Sequence, residues 1–362
     1  MGLLGLWITV LIVTVPLFRS LDRSSPRAVL AICMASALVS VIALVANLII
    51  SRRRARSMSV DHQALRILAE RIPTVREQLL AQVRGHDDAI EELTRFVASR
   101  LRMARTGQPL ATVLLAGPTG TGKTMLADAL ARGLFDDRAP LLIACNELYD
   151  AMAASQVLGD RVSGPGLLVR RARDEGHVAV IFDEIDRADR ALQNALLGVL
   201  DRGVWVDPVS QERVDLSGVL FLATTNVELA RSGSSQSRWS DGGEILGESK
   251  TMDDAFIARW QRLVPMGKLS SRARAEVVCL EVARMYEAEN IDVTFIDPPV
   301  ILEVLVSAEQ GERYGVRHLK NLLYERVAPA VLEARDRGAR EVSLGLSPAR
   351  EIEVQVRQFA NR

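Results

Sequence analysis

Residues 112–124 read TVLLAGPTGTGKT, an apolar run passing through a glycine-rich loop directly into MLADALARGLF, where apolar positions recur at helical spacing. That succession leaves few folds open. It is the strand–loop–helix context in which a G-x-x-x-x-G-K-[ST] segment cradles phosphates on a parallel α/β sheet. Glycines let backbone N–H groups turn inward, at a helix N-terminus whose dipole favours anions. Gly117, Pro118, Thr119, Gly120, Thr121 and Gly122 are therefore expected to line the phosphates of a nucleoside triphosphate. Lys123 is expected on the β- and γ-phosphates, and the Thr124 hydroxyl on Mg2+.

Downstream, HVAVIFDEID (177–186) is an apolar strand ending in two acids. Such a strand places Asp183 and Glu184 at the carboxyl edge of the sheet, beside the phosphate loop. The expected roles are Mg2+ binding for Asp183 and general base toward the attacking water for Glu184. A third strand, GVLFLATTN (218–226), ends in Asn226. Its amide falls where a γ-phosphate would sit, the alternative being a plain Thr-Thr-Asn turn. ATP and Mg2+ are the cofactors these motifs imply, and hydrolysis of ATP to ADP and phosphate is the reaction.

The chain has 362 residues and a formal net charge of zero, so no global basic field points to nucleic acid. Lysine occurs only at 123, 250, 268 and 320 in a chain otherwise rich in arginine, so Lys123 does not belong to a lysine-rich background. The three cysteines are far apart and form no paired framework, which fits a reducing compartment. The four histidines show no metal spacing.

Two segments without a charged side chain, 1–18 and 28–50, precede the phosphate loop. A bilayer core of about 30 Å takes roughly 20 apolar residues as a helix. The second segment meets this and the first is marginal. The first reads either as a span or as a cleaved signal; it lacks a basic leader, and Phe18-Arg19-Ser20 is no small-residue cleavage site. The arginines at 52, 53, 54 and 56 favour a cytoplasmic C-terminal side. The expectation is a transmembrane hairpin in a bacterial inner membrane. Domain limits follow at 1–50 for the hairpin, 51–80 for a basic, partly helical linker interrupted at Pro73, 81–264 for a nucleotide-binding domain and 265–362 for a small lid domain.

These motifs, in this order, resemble the AAA+ ATPases and among them the Clp-type unfoldases, over about residues 80–358. VRGHDDAI (83–90) is similar to the family's V-x-G-x-D-x-A segment, which implies that Val83 walls the adenine. FIARW (256–260) is similar to F-L-N-R-I-D, which makes Arg259 the implied arginine finger. Arg262 is a rival three residues on, and Ala258 and Gln261 stand where the family has Asn and Asp. GERYGVRHL (311–319) is similar to G-A-R-x-L, which implies that Arg317 is a second sensor. The resemblance further implies a hexameric ring of identical subunits, with an α/β large domain and a mostly helical small one. Helical patterns at 271–288, 298–308 and 316–337, then short strands near 341–346 and 352–356, fit that small domain.

The chain departs from the family where it has VLGDRVSGPG (157–166) in place of L-I-G-A-P-P-G-Y-V-G-Y-x-x-G-G. The aromatic that would grip an unfolded chain is missing. The hairpin at 203–216 carries Trp205, turned either to a channel or onto its own domain. The Ser/Gly-rich stretch 229–251 holds Ile245-Leu246-Gly247, not the tripeptide of Clp peptidase docking, and no H-E-x-x-H is present. Neither a docked nor a fused peptidase is expected. The leading expectation is a membrane-anchored ring that hydrolyses ATP to remodel, unfold or disassemble a membrane-associated protein. A nucleotide-gated ring that scaffolds a membrane complex is the alternative, and a torsin-type lumenal ATPase ranks below both.

Overall fold

The computed structural model describes residues 62–105, 107–148, 150, 152–175, 178–206, 211, 213–227, 252–309 and 315–356. Of 308–309 and 315–318 it describes the backbone alone. The apolar segments 1–18 and 28–50, the arginines at 52–56 and the stretch 229–251 lie outside these residues. Among the described residues no helix is long and apolar enough to cross a membrane.

Helix α1 (His62–Gln82) repeats apolar residues at helical spacing, and Leu65, Leu68, Ile72, Val75 and Leu79 are all buried. It packs on α2 (Asp87–Arg102) and α3 (Lys123–Leu134) and is part of the folded body rather than a free tether. The helix runs unbroken through Pro73, where the sequence predicts an interruption. Burial of Ile72 and Val75 on either side offsets the roughly 3 kcal/mol an interior proline costs.

Five parallel strands form the main sheet: β1 (Ala111–Ala116), β2 (Leu141–Ala144), β5 (Val178–Asp183), β8 (Val219–Thr225) and β9 (Arg262–Pro265). Their spatial order is β2-β5-β8-β1-β9. Strand β8, late in the chain, is thus inserted between the phosphate-loop strand β1 and the acid strand β5. The register pairs Ala116 with Thr225 and Phe182 with Ala223, so three strand ends finish level at one edge. Alternate strand residues enter two cores, as the period of two requires. Val113, Leu115, Ile181 and Leu222 face α1, α2 and α3. Leu114, Val180, Phe182 and Phe221 face the opposite core, which holds α5 (Leu167–Glu175) and α6 (Arg190–Arg202). Both faces of the sheet are covered, which explains its continuous apolar strands.

Two short hairpins project from this body. Helix α4 (Ala153–Leu158) leads into β3 (Gly159–Asp160) and β4 (Gly164–Pro165); β6 (Val204–Val206) pairs with β7 (Arg213–Asp215). Trp205 is half-buried against the core that holds Phe182, and its indole N–H is buried. Its ring packs onto its own domain. A short helix α7 (Asp254–Ile257) then leads to β9.

Residues 271–356 build a separate core. Helices α8 (Ser271–Glu287), α9 (Pro298–Glu309) and α10 (Gly315–Asp336) pack on strands β10 (Asp292–Ile296), β11 (Glu341–Leu346) and β12 (Ile352–Val356) around Val278, Val282, Tyr286 and Val327. The helices and the last two strands lie where the sequence patterns put them. Strand β10 was not foreseen: it is a short edge strand, parallel to β11 and not alternating in burial.

Candidate active site

The edge where β1, β5 and β8 end carries the chemistry. Gly122 adopts φ +93°, a left-handed conformation that lets the loop turn into α3 at Lys123. This leaves the first N–H groups of α3 without intrahelical partners, the arrangement that receives phosphate. Lys123 is buried, with Nζ donating to the carbonyl oxygens of Gly117 at 2.8 Å and Pro118 at 2.7 Å, and to Asn226 Oδ1 at 3.2 Å. Burial lowers its pKa, and the carboxylates of Asp183, Asp186 and Glu184 pull the other way.

Thr124 Oγ1 donates to Asp183 Oδ1 at 2.6 Å, and Thr224 Oγ1 donates to the same oxygen at 2.6 Å. The Thr224 hydroxyl also accepts from the Glu184 N–H at 2.9 Å, holding the acid pair from the neighbouring strand. A hydroxyl and a carboxylate in contact make a hard-oxygen pair that fits Mg2+, which takes one or two protein oxygens and completes its shell with phosphates and water.

Glu184 sits in the left-handed region at φ +54°. A non-glycine residue there is uncommon, and such conformations gather at functional sites. Its carboxylate receives the Asn226 amide, Nδ2 to Oε1 at 3.0 Å, and pairs with Arg187, Nε to Oε2 at 3.3 Å. The Asn226 N–H donates to Asp186 Oδ1 at 3.3 Å. The structure therefore brings Lys123, Thr124, Asp183, Glu184 and Asn226 into one bonded cluster. Sequence reading missed Thr224, Asp186 and Arg187; only the i, i+3 spacing of Arg187 from Glu184 was available as a local signal.

Beside the loop, Val83, Thr121, Gly122 and Met125 line a cleft closed on its other side by Leu269 and Val277 and by the Glu281–Lys320 ion pair of 2.7 Å. Val83, the residue expected to wall an adenine, is thus one of the apolar side chains that line this cleft.

Arg259 is not in this cluster. It precedes β9, whose Arg262 pairs with Val113, so it stands at the far end of the sheet from the phosphate loop. Its side chain is 39% exposed and lies 3.7 Å from Asp201. Arg262 is held within the body by Glu92 at 3.3 Å and stacks over Phe96 at 5.0 Å. Of the two arginines, Arg259 is the more exposed. Residue 317 lies in the first turn of α10; the side chain of Arg317 is outside the description.

Comparison with known proteins follows the same lines. Residues 108–261 match the family model described as AAA domain (Cdc48 subfamily). Chaperone protein ClpB of Chlamydia pneumoniae is 28% identical over 318 residues, which covers 78% of this chain and 35% of that protein. The ATP-dependent Clp protease ATP-binding subunit ClpC of Staphylococcus aureus is 26% identical over 308 residues, 76% of this chain and 37% of its own length. The chain thus spans about a third of the length of these curated relatives. Among solved structures, a closed-state reconstruction of Hsp104 with ATPγS and FITC casein aligns at a TM-score of 0.65 and 20% identity, covering 79% of this chain and 52% of that one. That likeness is one of fold.

Proposed function

We propose that this chain, which carries an AAA+ ATPase domain of the Clp/Hsp104 type, assembles into a membrane-anchored ring that hydrolyses ATP to remodel a protein partner. The observation that carries this reading is the bonded chain Lys123–Asn226–Glu184, set beside the Thr124–Asp183 pair. ATP would lie with its phosphates over the loop and its base in the cleft beside Val83. Mg2+ would be held by Thr124 and Asp183 and would neutralise charge on the phosphates. Glu184 takes the proton from the attacking water, and Lys123 and Asn226 stabilise the charge that develops on the γ-phosphoryl oxygens.

Arg259, at the far end of the sheet, acts on the site of a neighbouring subunit, so hydrolysis depends on assembly. Arg317 senses the nucleotide from the lid, which begins at residue 265. A ring of six copies supplies that neighbour relation. The segments 1–18 and 28–50 anchor the ring through their hydropathy and their arginine flank.

The hairpin at 159–165 favours a dedicated partner over any unfolded chain. Its turn is locked by Asp160, whose Oδ1 accepts from the N–H groups of Val162 at 2.7 Å and Ser163 at 2.6 Å. Val162 is its one apolar tip residue and is 95% exposed. A short rigid turn with one small apolar group has little surface for gripping. The same observation supports the second reading, a nucleotide-gated ring that scaffolds a membrane complex.

Glu184→Gln tests the proposal. It should abolish steady-state hydrolysis while ATP still binds, and a pull-down with this variant should retain the partner. Undiminished turnover would remove Glu184 as the base.

A further inference from the structure

The segment VRGH (83–86) connects α1 to α2 and touches two other parts of the molecule. Gly85 has φ +79° and lies so close to α8 that a Cβ there would meet the Ala273 Cβ at 2.5 Å. The next residue, His86, is 7% exposed, and its Nε2 lies 2.9 Å from the Thr121 carbonyl oxygen. A carbonyl only accepts, so Nε2 carries the proton and donates it to this bond.

Thr121 immediately precedes Gly122 and Lys123 in the phosphate loop. In a trans peptide the carbonyl and the following N–H point in opposite directions. Holding the Thr121 carbonyl toward His86 therefore turns the Gly122 N–H the other way. A phosphate loop needs its N–H groups inward and its carbonyls outward, and an outward carbonyl in a buried place needs a donor. His86 supplies that donor from a residue 35 positions away.

We infer that His86 is a positioning residue for ATP, acting through the Thr121 carbonyl to set the phosphate loop; this rests on the ATP-binding reading above. Burial lowers the His86 pKa and Lys123 acts in the same direction, against the Thr121 bond and Asp87. The imidazole is thus kept neutral, and no second cation is buried beside Lys123. The seating of Gly85 on α8 fixes the backbone from which His86 reaches.

The test uses the full-length chain with a fluorescent ATP analogue for Kd, steady-state hydrolysis for KM and kcat, and thermal melting without nucleotide. His86→Leu keeps bulk and removes the donor; Kd and KM should rise about tenfold, the size expected when a buried carbonyl loses its partner. The kcat at saturating ATP should change much less, because the reacting groups remain. His86→Gln, whose amide can donate to the same carbonyl, should restore Kd and KM. If leucine prevents folding, His86→Ala removes the donor without adding bulk and is read in the same way. A lowered melting temperature with wild-type Kd and KM would make His86 structural only and overturn the inference. A wild-type chain that binds no ATP would overturn the ATP-binding reading beneath it as well.

Discussion

Asn226 stands between Lys123 and Glu184 and bonds to both, its Oδ1 accepting from Nζ at 3.2 Å and its Nδ2 donating to Oε1 at 3.0 Å. An ammonium only donates and an ionised carboxylate only accepts, so a single amide orientation satisfies both neighbours. An amide is the side-chain type whose two ends can do this. The residue ties the loop lysine to the proposed base across a strand boundary.

Replacing Asn226 with Asp keeps the shape and removes the donor, placing a second carboxylate against Glu184. Turnover should fall about a hundredfold or more, the lower range for loss of a positioned acid–base partner. ATP binding, measured by fluorescence titration, should survive because the loop and Lys123 remain. Unchanged kcat in Asn226→Asp would separate this amide from the reaction.

Arg259 and Arg262 should behave differently, although three residues separate them. Arg259→Ala should silence hydrolysis without loss of ATP binding, and mixing it with Glu184→Gln subunits should restore part of the activity. Each variant then supplies what its neighbour lacks. No rescue at any mixing ratio would defeat a finger acting across subunits. Arg262→Ala should instead cost about 1 kcal/mol of stability in urea titrations, through loss of the Glu92 pair and the contact over Phe96.

His86 also predicts a pH dependence. Its folded-state pKa is lowered, mainly by burial, so between that value and the ordinary value of about 6.5 the unfolded chain binds more protons than the folded one. The stability contributed by the neutral imidazole is present above pH ~6.5 and is lost as pH falls below it. Wild type should therefore lose melting temperature more steeply than His86→Gln on acidification through this window. Parallel pH profiles for the two proteins would contradict the assignment.

The hairpin with Val162 at its tip predicts a negative result in a standard assay. Purified rings with active hydrolysis should fail to unfold a tagged fluorescent protein supplied as a generic substrate. Robust loss of fluorescence on ATP addition would show that one valine and a locked turn suffice for grip.

Much of the molecule was legible in the sequence because its chemistry is carried by contiguous segments. GPTGTGKT and the acid-terminated strand at 178–183 dictate local geometry within a few residues, through glycine freedom, helix-end N–H groups and an apolar strand. The helices of 271–336 were legible from apolar spacing alone. Strand β10 was not, since its burial pattern does not alternate, and Pro73 misled because propensity is a local quantity while the burial that overrides it is not.

By itself, then, the sequence determined the parts: the loop, the cation, the acid pair, the amide and the two candidate arginines. Only the tertiary structure decided their company. Asn226 meets Glu184 because β8 is inserted between β1 and β5, an order that chain position does not state. Arg262 is bound to Glu92 and Arg259 is left more exposed, beside Asp201, because β9 joins the edge of the sheet beside β1 and α2 packs against β9. His86 reaches Thr121 because α8 seats Gly85. The physical reason is common to all three: hydrogen bonds and ion pairs act over a few ångströms, and chain closure, not sequence adjacency, decides which groups come that close.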